Sequence, residues 1–203
     1  MLDRPIIYLI TKGEATAENF AESRERILSV VRAAVAEKVT LVQIREKKLP
    51  ARLVFELARS CVELTRGTAT RLLVNDRFDI ALAAGADGVQ LTSASMRAEV
   101  VRRFVPKEFL IGASINSVNE ASAVGADFFV FGPVFETPGK EAVGVESLSA
   151  VCAATKLPVV AIGGVDASNV AEIINAGAAG FAAIRVLNDV DSMHEVVKAA
   201  TND

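Results

Sequence analysis

Short apolar runs recur along the chain, separated by longer stretches in which apolar positions return every three or four residues. The runs are IIYLI at 6–10, VTLVQI at 39–44, RLLVN at 71–75, DGVQL at 87–91, FLIGAS at 109–114, DFFVFG at 127–132, PVVAIGG at 158–164 and GFAAIRV at 180–186. They are continuous rather than alternating in polarity, the pattern of parallel strands covered on both faces. Between them, AENFAESRERILSVVRAAVAEK, ARLVFELARSCVELTR and VNEASAVG predict helices. Three strands follow one kind of helix exit, Ala84-Gly85-Ala86-Asp87, Val124-Gly125-Ala126-Asp127 and Ala176-Gly177-Ala178-Ala179, where glycine supplies the left-handed residue that ends a helix. Eight strand–helix units with short connections predict a single (β/α)8 TIM barrel over residues 1–203. Alternation alone does not demonstrate closure, so an open doubly wound sheet is the alternative.

Composition narrows the class. The 203 residues are 51% hydrophobic and 23% charged, with a net charge of -3 and no linker-like stretch. Both signs are spread along the chain, which predicts neither nucleic acid nor an anionic membrane as partner. The opening MLDRPIIYLI is too short and too acidic for a signal peptide, and no run approaches the roughly 18 apolar residues of a spanning helix. A cytoplasmic location is expected. Cys61 and Cys152 lie in helical stretches without metal spacing and read as buried hydrophobes.

In a barrel of this kind, chemistry belongs where strands end. Along TLVQIREKK the period of two puts Leu41, Gln43, Arg45 and Lys47 on one face, with Val42 and Ile44 on the other. If Val42 and Ile44 face helices, the first set turns cationic at the mouth and suits a phosphate or pyrophosphate. The third strand ends in Asn75 and Asp76. Asp76 can cap the following helix or hold Mg²⁺, and the residues alone leave both open. After the sixth strand, GPVFETPGKEAVG is unusually long for such a connection; its Thr137, Gly139 and Lys140 could wrap an anion. Gly163 and Gly164 end the seventh strand ahead of a cap at Asp166 or Ser168, where bare backbone N–H groups could meet a phosphate.

These segments, with YLIT at 8–11, QIREK at 43–47, VNDR at 74–77, GADGVQL at 85–91, IGAS at 111–114, FGPVFETPGK at 131–140 and AIGGV at 161–165, resemble the thiamine phosphate synthase and TenI family in family order. The resemblance implies a (β/α)8 barrel and a transferase that couples a pyrimidine methyl pyrophosphate to a thiazole phosphate, releasing pyrophosphate. It also implies Arg45, Lys47 and Lys140 as catalytic cations and Asp76 as the Mg²⁺ carboxylate. Gln43, Asn75, Ser114, Thr137, Gly139, Gly164, Ile184 and Arg185 would bind the substrates. Partners are then small phosphorylated molecules, with self-association open. Two departures keep alternatives in play: a TenI-type thiazole tautomerase, or a non-catalytic paralogue that binds a phosphorylated ligand. Ser95 stands where synthases carry a second metal carboxylate, with Glu99 one turn beyond. Asn116 stands where tautomerases carry a histidine, and the chain's one histidine, His194, lies in the last helix, where a solvated role is expected. Arg185 also replaces a commonly small residue.

Overall fold

A computed structural model describes Leu2 and residues 5–122 and 124–201. Its eight strands are parallel and pair in sequence order until the eighth meets the first, closing a barrel. The strands are β1 (Ile6–Ile10), β2 (Leu41–Ile44), β3 (Arg71–Asn75), β4 (Gly88–Leu91), β5 (Leu110–Ile115), β6 (Phe128–Phe131), β7 (Val159–Ile162) and β8 (Gly180–Ala183). The helices are α1 (Phe20–Ala36), α2 (Ala51–Thr65), α3 (Phe78–Ala84), α4 (Ala98–Val101), α5 (Gly144–Ala154), α6 (Val170–Asn175) and α7 (Val190–Thr201). Closure excludes the open-sheet alternative. Among the described residues no helix is long and apolar enough to cross a membrane.

One prediction of a helix fails. VNEASAVG forms only a 3-10 turn, Val118–Ser122, and Ala123 within it lies outside the described residues. The segment is too short to nucleate an α-helix in isolation, and no long apolar stripe docks it.

Two apolar layers build the core. Outward side chains such as Leu9, Val42, Ile44, Leu72, Val74 and Phe129 pack beneath the helices. Inward ones, including Ile6, Tyr8, Leu41, Leu73, Phe128 and Val160, fill the barrel. The interior of a small barrel is crowded, and Tyr8 and Phe128 meet edge to face at 5.9 Å. Gly112 makes room for Phe128 and Gln90: a Cβ there would stand 2.3 Å from Gln90 Oε1 and 2.4 Å from the Phe128 ring.

The repeated helix exits have a second use. Gly85 ends α3 at φ 79°, as the exit pattern predicts, and two residues on, Asp87 Oδ2 accepts the Leu72 N–H of β3 at 2.8 Å. Asp127 Oδ2 likewise accepts the Ile111 N–H of β5 at 2.7 Å. Each carboxylate thus satisfies the opening of the preceding strand and pairs with an arginine, Arg71 or Arg102. The third exit ends in Ala179 and lacks this brace.

Candidate active site

The polar residues of the strand ends converge at the carboxyl mouth. Period-two alternation carries Leu41 and Gln43 inward, and Gln43, 2% exposed, donates from Nε2 to Asn75 Oδ1 at 3.2 Å. Lys47, Asn75, Asp76 and Thr92 border one hollow of about 360 Å³. The predicted amides, one cation and the carboxylate therefore belong to a single group. Asp76 owes its position to a left-handed backbone, φ 64°, in which its N–H is held by Gln90 O at 2.8 Å. A non-glycine residue there carries local strain, which places the carboxylate beyond the strand rather than along it. Capping is not its role: α3 has no side-chain cap, and Asp79 rather than Asp76 binds Arg77.

Arg45 stands half-buried just past β2, with its N–H on Thr11 Oγ1 at 2.9 Å. Its neighbour Glu46 is the residue the sequence reading missed there. On the face of Val42 and Ile44 it is 5% exposed, and its carboxylate accepts the N–H groups of Gly13 at 3.1 Å and Ala15 at 2.9 Å. A carboxylate on an otherwise apolar face was the available signal. Gln90, 3% exposed inside the barrel, was also missed. Its Oε1 accepts the Tyr8 hydroxyl at 3.2 Å, and its Nε2 donates to Ser114 Oγ at 3.2 Å and Leu91 O at 3.3 Å. Burial pushes the Tyr8 hydroxyl well above its ordinary pKa, so it remains the donor in that chain. Ser114 thus joins the mouth through Gln90.

The long loop after β6 is shaped by its own turn. Thr137-Pro138-Gly139-Lys140 closes with Lys140 N–H on Thr137 O at 3.1 Å, and Gly139 has φ 77°. Proline followed by glycine in that conformation is a type II turn. Its tip is exposed at Pro138, Gly139 and Lys140, and no hydrogen bond or ion pair among the described residues ties it to Gln43, Asn75 or Asp76. Its base explains the glycine pair differently from expectation: a Cβ on Gly163 would meet Pro133 at 2.3 Å, and one on Gly164 would meet Phe135 at 2.7 Å. The space freed by the missing side chains is filled by the chain's own loop. Asp166 caps the turn that follows, binding Ser168, while Asn169 Nδ2 donates to Gly164 O at 2.9 Å. Ile184 and Arg185 follow β8 directly, Ile184 partly buried and Arg185 exposed.

The departures are also located. Ser95 Oγ closes its own turn, accepting the Thr92 N–H at 2.8 Å. Glu99 pairs with Arg97 at 3.0 Å and borders an adjoining hollow with Ser95 and Met96, Thr92 lining both this hollow and the one at Asp76. Asn116 is exposed and bound to Glu120. His194 contacts Glu37 at 3.2 Å beside a hollow of about 620 Å³ lined also by Pro5, Lys38 and Thr40, around the strand starts. Among the described residues no three His, Cys, Asp or Glu side chains cluster as metal ligands. That larger hollow holds none of the predicted site residues, whereas Lys47, Asn75 and Asp76 border the smaller one at the mouth.

Fold and mouth define the class: a (β/α)8 barrel with amides, cations and the Asp76 carboxylate gathered at the carboxyl ends of its strands. The family follows from comparison. A family model described as thiamine monophosphate synthase matches residues 7–187, and the chain belongs to that family. It is 42% identical to the thiamine-phosphate synthase of Moorella thermoacetica, over 85% of this chain and 84% of that protein. To the thiamine-phosphate synthase of Methanoregula boonei it is 39% identical over 96% and 89%. The solved thiamine phosphate pyrophosphorylase of Pyrococcus furiosus superposes with a TM-score of 0.84 at 32% identity, covering 98% of this chain and 97% of that one. The family expectation is borne out, and with it the synthase-type transferase class.

Proposed function

We propose that the chain joins a pyrimidine methyl pyrophosphate to a thiazole phosphate at the carboxyl mouth, forming thiamine phosphate and releasing pyrophosphate. The observation that carries this reading is the Gln43–Asn75 amide pair, which shares its mouth with Lys47 and the Asp76 carboxylate.

In the coupling, the thiazole nitrogen bonds to the pyrimidine methylene carbon as the carbon–oxygen bond to pyrophosphate breaks. The electron pair leaves with pyrophosphate, and no proton moves. The enzyme's task is to neutralise the departing charge and hold two planar rings in register. Arg45 and Lys47 supply positive charge to the leaving group, and Lys140, with Thr137 and Gly139, supplies more from the loop. Gln43 and Asn75 orient the pyrimidine through their amides, and Ser114 adds a hydroxyl. Gly164, with the backbone at Ile184 and Arg185, receives the thiazole phosphate. A reaction without proton transfer is consistent with a mouth without histidine.

The donor set fits Mg²⁺. Asp76 has no ion-pair partner within 4 Å among the described residues, and Thr92 borders the same hollow. Mg²⁺ takes one or two carboxylates and completes its shell with substrate oxygens and water, so Asp76 would hold it. Glu99 is paired with Arg97 in the adjoining hollow, which favours Asp76 as the carboxylate for the ion. When bound, the ion supplies charge neutralisation to the pyrophosphate.

The test is direct. Purified protein with Mg²⁺ and both substrates should accumulate thiamine phosphate, quantified by chromatography. No product, with a Moorella-type synthase active in parallel, would overturn the reading.

A further inference from the structure

The end of β8 contains a hydrogen bond that is not where a parallel ladder would put it. With Ile6 opposite Gly180, the Ile6 N–H donates to Ala179 O at 2.8 Å, and the register continues to Leu9 opposite Ala183. Parallel pairing repeats every two residues, so the next rung at the mouth would run from the Arg185 N–H to Ile10 O. That rung is missing. Ile10 O instead accepts Asn188 Nδ2 at 2.8 Å, and the other hydrogen of the same amide goes to Ile184 O at 2.6 Å. Both partners are carbonyls, so only the nitrogen end of Asn188 can face them. Among the described residues the Arg185 N–H has no hydrogen-bond partner.

We infer that Asn188 is a positioning residue for phosphate binding: its amide substitutes for the last β1–β8 rung and thereby releases the Arg185 backbone N–H to a phosphoryl oxygen of the thiazole substrate. The inference rests on the functional reading above and deepens it. Two effects act together. Occupying Ile10 O removes the partner that would draw Arg185 into the sheet. Holding Ile184 O turns the Ile184–Arg185 peptide, and because carbonyl and N–H of a trans peptide point oppositely, the Arg185 N–H is directed away from Asn188. A free backbone N–H at a strand end makes a charge-assisted bond to a phosphate without desolvating a side chain. Asn169, on Gly164 O, holds the neighbouring peptide at the end of β7 in the same manner. The two asparagines lie four and five residues beyond the carbonyls they hold, within the turns that begin the next helices.

Asn188→Ala should let Arg185 recover its rung. Steady-state kinetics with both substrates should then show the KM for the thiazole phosphate raised about tenfold, with the KM for the pyrimidine pyrophosphate changed less than about twofold. With the unphosphorylated thiazole alcohol as acceptor, wild type and variant should be equally slow, because the lost contact is one the alcohol never makes. A loss of equal size on both substrates, or one that persists with the alcohol, overturns the inference. A second measurement needs no variant: in ¹⁵N-labelled wild type, the Arg185 amide proton should move downfield on adding thiazole phosphate and not on adding the alcohol. A silent Arg185 amide overturns the inference even where turnover is normal. Absent turnover with a responding amide overturns the functional reading alone.

Discussion

At the scale of single residues, the proposed site separates side chains assigned to the substrate from those that hold them in place. Arg45→Ala and Asp76→Ala should each lower kcat/KM for coupling by about 100-fold or more, while the melting temperature stays within a few degrees of wild type. Wild-type-like turnover in both would remove them from the site, and an enzyme assay beside a thermal melt decides. Gly112→Ala should act oppositely, on stability first. Its new methyl would overlap Gln90 and the Phe128 ring, so chemical denaturation should report a loss of about 1–3 kcal/mol. The cations, amides and Asp76 were legible in the sequence because a polar residue at the end of an apolar run is an anomaly. Gln90 was not. It lies within an apolar run, and only barrel closure brings Tyr8 of β1 and Ser114 of β5 to its two ends.

At the scale of elements, the helix exits couple a turn to the strand before it. Asp87→Ala and Asp127→Ala each leave a strand-opening N–H without its acceptor and an arginine without its carboxylate, although Arg102 keeps its bonds to backbone carbonyls such as Phe109 O. Each should cost about 1–3 kcal/mol in denaturant unfolding and leave both substrate KM values unchanged, since the braces sit at the amino ends of the strands. A change in KM without a change in stability would contradict that division. The exit glycines could be read from spacing, but not the carboxylate braces, which depend on which strand lies alongside. The 118–125 segment shows the converse error. Its composition favours a helix, yet only a 3-10 turn forms, because helix formation in so short a piece depends on docking rather than propensity.

At the scale of the whole molecule, a closed barrel with two apolar layers makes burial a source of pH sensitivity. Cys61, within α2, is fully enclosed, and burial pushes its thiol from 9.0 to about 12. The unfolded chain ionises there first, so the contribution is complete below pH 9 and is lost as pH rises toward 12. Stability should fall by about 2–3 kcal/mol from this group between about pH 8.5 and 11, and Cys61→Ala should show a correspondingly shallower decline in denaturant midpoints. An identical slope in the variant would assign the alkaline loss elsewhere. By itself, the order of apolar runs, helix exits and polar strand ends determined the fold class, the family and the polar residues of the β2 and β3 ends, because periodicity and turn chemistry are local properties of the chain. Only the tertiary structure decided that Gly163 and Gly164 make space for the long loop, that Glu99 and Asp76 border adjoining hollows, and that Asn188 completes the β1–β8 ladder. Those facts depend on contacts between residues as far apart as Ile10 and Asn188, which no local pattern encodes and which appear only when the eighth strand meets the first.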